Sequence, residues 1–261
     1  MKKMLIAAIV AALGPGGILP MARSANAAEI HAIVTGALTG AFRELVPQFE
    51  RQSGDKVIIA WGPSSGTSSD AIPVRIQNGE PVDVLIMLGP ALDALIKQAK
   101  FTPVMRVDVA QSGVGVGVRS GTSKPDISST EALRRTLLEA KSIGYSEGGS
   151  GVYVSKELLR RLGIADQVAD KLRKITGELV GEAIARGEVE IGIQQISELR
   201  VVPGVEYAGP LPNGLQNTSV IAAAVSKDAK EPDAARTFVA FISSPAASSA
   251  FTNSGLDVPP R

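Results

Sequence analysis

The stretch from Val57 to Met87 constrains the fold more than any other part of the chain. An apolar, strand-like run ends at Trp61-Gly62-Pro63, small hydroxyl residues follow from Ser64 to Ser69, and a helical segment leads to a second apolar strand at 82–87. A loop between a strand and a helix start presents free backbone N–H groups and hydroxyls together, and these bind anions without a charged side chain. The chain repeats this arrangement at least twice more.

Strands and helices alternate along the rest of the chain, which predicts an α/β fold with mainly parallel sheets flanked by helices. Predicted strands lie at 29–35, 56–60, 83–87, 112–119, 142–145, 191–194 and 219–225. Predicted helices lie at 39–53, 70–78, 90–98, 130–140, 151–162, 165–174, 177–186, 232–243 and 245–254.

Two long predicted strands suggest a division into two lobes. We expect residues 28–113 and 226–261 in the first lobe and residues 120–218 in the second, with 114–119 and 219–225 as lobe-crossing strands. Ligands of such folds bind beyond the carboxyl ends of the strands. The cleft between the lobes is therefore the expected site.

The N-terminus, residues 1–27, has the pattern of a secretory signal peptide. Lys2 and Lys3 precede an apolar run from Met4 to Leu19, and Ala25-Asn26-Ala27 forms a cleavage site. The alternative is a membrane anchor, but the run is short and interrupted by Gly and Pro. We expect cleavage and a periplasmic protein.

Charge and composition exclude several classes of function. Without the leader, 24 Lys and Arg face 26 Asp and Glu, a net charge of −2, so neither nucleic-acid binding nor a basic membrane surface is indicated. The chain has no Cys, and His31 is its one His, so no metal cluster, cofactor site or nucleophile–histidine pair is expected. We expect a monomer that binds a small molecule.

Four loops after predicted strands, at 35–39, 64–69, 146–151 and 194–198, hold the candidate site. Their hydroxyls, amides and helix starts suit a small oxyanion or carboxylate. The same residue types are ordinary helix caps and turn formers, so that alternative stays open. The candidate ligand-binding residues are Thr35, Gly36, Ala37, Leu38, Thr39, Ser64, Ser65, Gly66, Thr67, Gly149, Ser150, Gly151, Tyr153, Gln194 and Gln195.

The third and fourth loops are the most informative. Three glycines around Ser150 allow the backbone to approach a ligand closely, but the Lys of a nucleotide-binding P-loop is missing. Gln194 and Gln195 end an apolar strand, where neutral amides are costly to bury unless they find partners.

The order of these features resembles the periplasmic molybdate-binding family, the solute receptors of ABC importers with a type II two-lobed fold. The matching pieces are TGALTGAFRELVPQFERQSGDKV, SSG followed by RIQNGEPVDVLIM, SGVYVSKELLRRLGI and PDAARTFVAFISSPAASSAF. The resemblance implies a small anionic ligand, with Ser64 or Ser65 at the family's second-loop serine, and an ABC permease as partner.

Two family donors are absent from this chain. Ala37 stands where the family has its first-loop serine, and the late tyrosine is replaced near Gln194 and Gln195. Each lost donor weakens a buried oxyanion site by about 1–3 kcal/mol. A planar carboxylate or another organic anion therefore fits at least as well as molybdate.

The resemblance leaves two functions open. One is a receptor for an ABC importer. The other is an enzyme similar to periplasmic aconitate isomerase, which moves a proton between trans- and cis-aconitate. Glu147 and Glu198 lie in predicted cleft loops and are the candidate catalytic residues of that second function.

Overall fold

A computed structural model describes residues 27–259, and the predicted signal peptide lies almost wholly outside this range. The strands are β1 (Glu29–Thr35), β2 (Lys56–Gly62), β3 (Val84–Leu88), β4 (Pro103–Ser112), β5 (Val114–Arg119), β6 (Ile143–Ser146), β7 (Leu172–Ile175), β8 (Ile191–Gln195), β9 (Val205–Pro210) and β10 (Ser219–Ser226). The helices are α1 (Thr39–Ser53), α2 (Ile72–Gln77), α3 (Gly89–Lys97), α4 (Thr130–Glu139), α5 (Gly149–Tyr153), α6 (Leu159–Arg161), α7 (Val180–Arg186), α8 (Ile196–Arg200), α9 (Pro232–Ile242) and α10 (Ser248–Asn253). A π-turn, Val154–Leu158, joins α5 to α6.

The described strands form two five-stranded sheets with the same arrangement. The first sheet has the order β2-β1-β3-β10-β4, and the second has the order β7-β6-β8-β5-β9. In each sheet four strands run in one direction and the fourth strand in the order, β10 or β5, runs against both of its neighbours. The predicted two-lobed α/β fold with mainly parallel sheets is confirmed.

The chain passes between the sheets in two short segments. Only Gly113 separates β4 of the first sheet from β5 of the second, and the return runs through a 3₁₀ turn, Asn213–Leu215, between β9 and β10. The Gln216 side chain accepts a hydrogen bond from the Val114 N–H (2.7 Å) and donates one to the Val114 carbonyl (3.0 Å). Strands β5 and β10, which were expected to cross between the lobes, thus each pair within one sheet. The side chain of Gln216 links the two connections.

Both faces of each sheet are covered. On the first sheet, α1 buries Phe42, Leu45 and Phe49 at helical spacing, and Phe238 of α9 meets the two phenylalanine rings edge-on at 5.9 and 5.0 Å. Its other face carries Ile72, Leu92 and Phe101. The second sheet packs between one cluster around Leu133 and Leu158 and another around Val180 and Ile184.

Three segments differ from the sequence-based prediction. The helix expected over 165–174 is wrong, because a 3₁₀ turn, Ala169–Lys171, leads there into β7 at the edge of the second sheet. Strands β4 and β9 were not expected. Both lie at sheet edges and pair with strands far away in sequence, so local patterning signals them weakly.

We expect Phe238→Ala to lower the free energy of unfolding by about 3–5 kcal/mol, because it removes a fully buried ring from the contact with Phe42 and Phe49. Urea denaturation measures the change. Ile58→Ala is the control, since Ile58 is 47% exposed and should change stability by less than about 1 kcal/mol. Equal effects of the two substitutions would contradict this account of the core.

Candidate functional site

A cleft of about 300 Å³ lies where the parallel strands of both sheets end. The last residue of three strands of the first sheet lines it: Thr35 of β1, Gly62 of β2 and Leu88 of β3. Three strands of the second sheet do the same with Ser146 of β6, Ile175 of β7 and Gln195 of β8. The cleft is therefore built jointly by the two sheets, as expected for open α/β folds.

Most of the candidate residues meet in this cleft. The first loop contributes Thr35, Gly36 and Thr39, and the second contributes Ser64. The third loop contributes Glu147, Gly149 and Ser150, and the fourth contributes Gln194, Gln195 and Glu198.

Seven of the candidates lie outside the lining of the cleft, and four of them lie in the core or beside a different cavity. Ala37 and Leu38 are buried in the core of the first lobe. The Tyr153 hydroxyl donates a hydrogen bond of 2.6 Å to the Leu215 carbonyl inside the second lobe. Ser65 lines a neighbouring cavity beside Gly89 and Asn217.

Three further candidates support the cleft from outside its lining. A Cβ atom at Gly151 would lie 1.6 Å from the Ser146 carbonyl oxygen, so only glycine allows this helix to start so close to β6. Gly66 and Thr67 lie against Glu147, whose Oε2 accepts a hydrogen bond of 3.4 Å from the Thr67 N–H. Glu147 thereby joins the third loop to the second across the cleft.

The two glutamines have different environments. Gln194 is buried, and its Oε1 accepts a hydrogen bond of 2.9 Å from the Val180 N–H at the start of α7. Gln195 is 4% exposed, and its Oε1 has no hydrogen-bond partner among the described residues. A buried amide oxygen without a partner is costly, so Gln195 remains a candidate for ligand contact.

The cleft is acidic, a property that the sequence analysis missed. Asp70, Glu178 and Glu182 line it together with Glu147 and Glu198, and its described lining contains no Lys, Arg or His. Both Glu178 and Glu182 follow β7: Glu178 precedes α7, and Glu182 lies four residues later in its first turn. Because 165–174 was read as a helix, the loop after β7 was not recognised as a strand end. Arg75 does not line the cleft, since it is held by Glu80 and the Asp70 carbonyl.

Burial controls the charge of these carboxyl groups. Burial raises the pKa of Glu198 from 4.5 to about 7, against hydrogen bonds from Gln194 and from the Gln195 backbone that favour the ionised form. The pKa of Glu182 is also raised, first by burial and then by its hydrogen bond to Glu178. The pKa of Glu178 is lowered by its hydrogen bonds from Arg186.

A family model described as bacterial extracellular solute-binding protein matches residues 30–257. The chain belongs to this family.

Two curated relatives and one solved structure are similar to this solute-binding protein over most of its length. It is 37% identical over 237 residues to an aconitate isomerase of Pseudomonas sp, covering 91% of this chain and 90% of that protein. It is 25% identical over 197 residues to the molybdate-binding protein ModA of Azotobacter vinelandii, covering 73% of each. The structure of the Azotobacter vinelandii periplasmic molybdate-binding protein aligns with a TM-score of 0.73 at 20% identity, covering 88% of this chain and 100% of that one.

Two further properties concern the part of this solute-binding protein that the structure describes. Among residues 27–259 no helix has the length and apolar character to cross a bilayer. In the same range no group of three or more His, Asp or Glu side chains is arranged to hold a metal ion.

We expect Glu198→Gln to stabilise the protein near neutral pH. A folded-state pKa of about 7 against 4.5 for an exposed glutamate means that the wild type loses stability as pH rises from about 4.5 to about 7. The amide does not ionise, so the variant should gain on the order of 2–3 kcal/mol relative to the wild type across that window. Urea denaturation at about pH 5 and about pH 8 measures the difference, and a gain that is the same at both values would contradict a raised pKa of Glu198.

Proposed function

We propose that this protein binds a small organic polyacid between its lobes and carries it through the periplasm to an ABC importer. The observation that carries the proposal is a cleft lined by hydroxyl and amide groups at the ends of six parallel strands, with the buried amide of Gln195 left without a partner. An amide can turn to present either its oxygen or its NH₂ group, so Gln195 can adapt to a carboxyl or a hydroxyl of the ligand.

The size of the cleft favours an organic acid over a metal oxyanion. A volume of about 300 Å³ falls at the lower end of the range of about 300–1,000 Å³ that pockets for organic ligands have. A tetrahedral oxyanion with one central atom would leave most of this space to water. A tricarboxylate with a six-carbon skeleton fills it better, and a higher filled fraction gives more contacts per ligand.

The relative of higher identity supports the same ligand class. The relative at 37% identity is named for aconitate, an organic tricarboxylate, and the relative at 25% identity is named for molybdate. The extracellular description of the family and the predicted signal peptide support the periplasm as the location.

A second candidate function is the isomerisation of such an acid, and Glu198 is the observation that favours it. An allylic proton shift needs a group that removes a proton from one carbon and returns it to another, and a carboxyl with a pKa of about 7 can do both at neutral pH. In that case Glu198→Gln should reduce conversion of trans-aconitate to the cis form at least about 100-fold while leaving binding largely intact. Glu147 is the alternative proton carrier, and normal conversion by both Glu198→Gln and Glu147→Gln would exclude these assignments.

The decisive experiment is a thermal-shift panel on the mature protein. The ligands are molybdate, tungstate, sulfate, phosphate, citrate, cis-aconitate and trans-aconitate, and absorbance follows any interconversion of the aconitates. A bound ligand at 100 times its dissociation constant should add about 2.7 kcal/mol of stability. We expect stabilisation by the carboxylates. Stabilisation by molybdate and tungstate alone would contradict the organic-acid proposal, and conversion of aconitate would favour the enzyme.

Gln195→Leu should separate binding from stability. The substitution removes a buried amide whose oxygen lacks a partner, so the free protein should be as stable as the wild type or more stable. Affinity for the best carboxylate of the panel should fall about tenfold or more, a loss of about 1.4 kcal/mol or more. Isothermal titration calorimetry measures the affinity. The control is Gln98→Leu, because Gln98 is exposed at the end of α3, and an equal loss in both variants would exclude Gln195 from the site.

A further inference from the structure

The cleft presents an electrostatic conflict to an anionic ligand. Five acidic residues line it and no basic residue does, among the residues described there. A like charge within about 4–6 Å disfavours ionisation of a neighbouring acid, and the same repulsion would oppose a bound carboxylate. The site can hold an anion well only if some of its acids are neutral or paired.

Arg186 resolves part of the conflict from outside the cleft. Its guanidinium donates to both oxygens of Glu178, at 2.6 and 2.9 Å, and its Nε donates to Glu188 at 2.7 Å. These contacts compensate Glu178 and leave no charge of Arg186 for the ligand. Arg186 therefore pairs with Glu178 and Glu188 and is not a ligand-binding arginine.

Glu198, like Asp70, Glu147 and Glu182, has no such basic partner among the described residues of the cleft. It lies on the first turn of α8 beside the first loop, where a Cβ atom on Gly36 would be 3.2 Å from its Oε1. It therefore sits between the lobes, in the same cleft as the buried and unpartnered Gln195. No salt bridge to Glu198 is present among the described residues.

We infer that Glu198 meets the ligand as an uncharged acid and donates a hydrogen bond to it, so that the cleft takes up a proton with its anionic ligand whenever Glu198 is ionised in the free protein. This inference rests on the proposed function and specifies how that same site recognises a carboxylate. A protonated carboxyl is a donor, and a hydrogen bond to an ionised acceptor is about twice as strong as one between neutral groups. The proton comes from solvent on binding and returns to solvent on release.

Among the charged groups on the elements packed against α8, only Glu182 of α7 offers an alternative explanation. The first loop and β8 carry no charged side chain, Arg119 of β5 is exposed, and Glu206 of β9 pairs with Lys124. On α1, Arg43, Glu44 and Arg51 are exposed and Glu50 pairs with Lys56, while Arg200 of α8 is itself exposed. Burial raises the pKa of Tyr207 of β9 above its usual value of 10, so Tyr207 is already protonated at neutral pH and takes up no proton. Burial also raises the pKa of Glu182 of α7, which makes Glu182 the other candidate for the proton.

Linkage gives the expected dependence on pH. Burial raises the pKa of free Glu198 to about 7, and a bound anion raises it further. The contribution of Glu198 to affinity should then be constant below about pH 6 and weaken about tenfold between about pH 6 and about pH 8. Proton uptake per ligand should be about 0.1 at about pH 6 and about 0.9 at about pH 8.

The test is isothermal titration calorimetry with tricarballylate, a saturated tricarboxylate that has no double bond to isomerise. Titrations in PIPES, HEPES and Tris give the number of protons taken up from the dependence of the observed enthalpy on buffer ionisation. Glu198→Gln keeps an N–H donor without a titratable group, so it should bind with little dependence on pH and with proton uptake near zero. Glu139→Gln, on an exposed position of α4, should behave like the wild type.

Each outcome decides the matter. Binding by the wild type without proton uptake at about pH 8 would overturn the inference and leave the proposed function standing. Proton uptake that persists in Glu198→Gln and disappears in Glu182→Gln would also overturn it, since the proton would then reside on Glu182. If neither tricarballylate nor any carboxylate of the panel binds, the proposed function fails and this inference fails with it.

Discussion

The structure depends on the requirement that parallel strands be joined by crossovers. Each parallel strand must be followed by a segment that returns to the other end of the sheet, so its carboxyl end always meets a loop and the start of a helix. Three strands of each sheet end in this way at the cleft, from Thr35 and Gly62 on one side to Ser146 and Gln195 on the other. The loops of the candidate site are a consequence of this connectivity.

The same constraint explains the one reversed strand in each sheet. Strand β4 ends on the cleft side of the first sheet, and after Gly113 the chain enters the second sheet from that side, so β5 must run away from the cleft. Strand β10 is reversed for the same reason when the chain returns after β9. Both connections therefore lie beside each other, where the Gln216 amide bonds to the backbone of Val114.

The charge of the cleft follows from burial more than from composition. Five acidic residues line one cleft of a chain that is nearly neutral overall, and their surroundings govern their protonation. Arg186 compensates the charge of Glu178. Glu198 has only hydrogen bonds from Gln194 and the Gln195 backbone. An acid that is neutral near pH 7 can act as a hydrogen-bond donor or as a proton carrier. The receptor and the isomerase therefore draw on one property of the same side chain.

Local patterns predicted the parts of the molecule that local physics controls. The helix at Thr39–Ser53 has a clear apolar face and ends at Gly54, whose φ of 82° suits glycine, and the structure reproduces it residue for residue. Strand β7 was misread because its residues, Leu172–Ile175, pair on one side only and alternate weakly between buried and exposed positions. Tyr153 was placed in the site by its nearness to a glycine-rich loop, although the turn of α5 directs it into the core.

The sequence by itself determined the alternation of strands and helices, the two-lobed class of fold and the loops that hold most of the cleft, because hydrophobic periodicity and glycine-rich turns are local properties. Only the tertiary structure decided that Asp70, Glu178 and Glu182 join Glu147 and Glu198, that Arg75 and Arg186 stay outside, and that Gln195 is buried without a partner for its oxygen. These facts depend on which distant strands pair and on how much water each side chain loses. Burial and the distance between charges set both the pKa values and the cost of an unpaired amide, and neither quantity exists until the chain is folded.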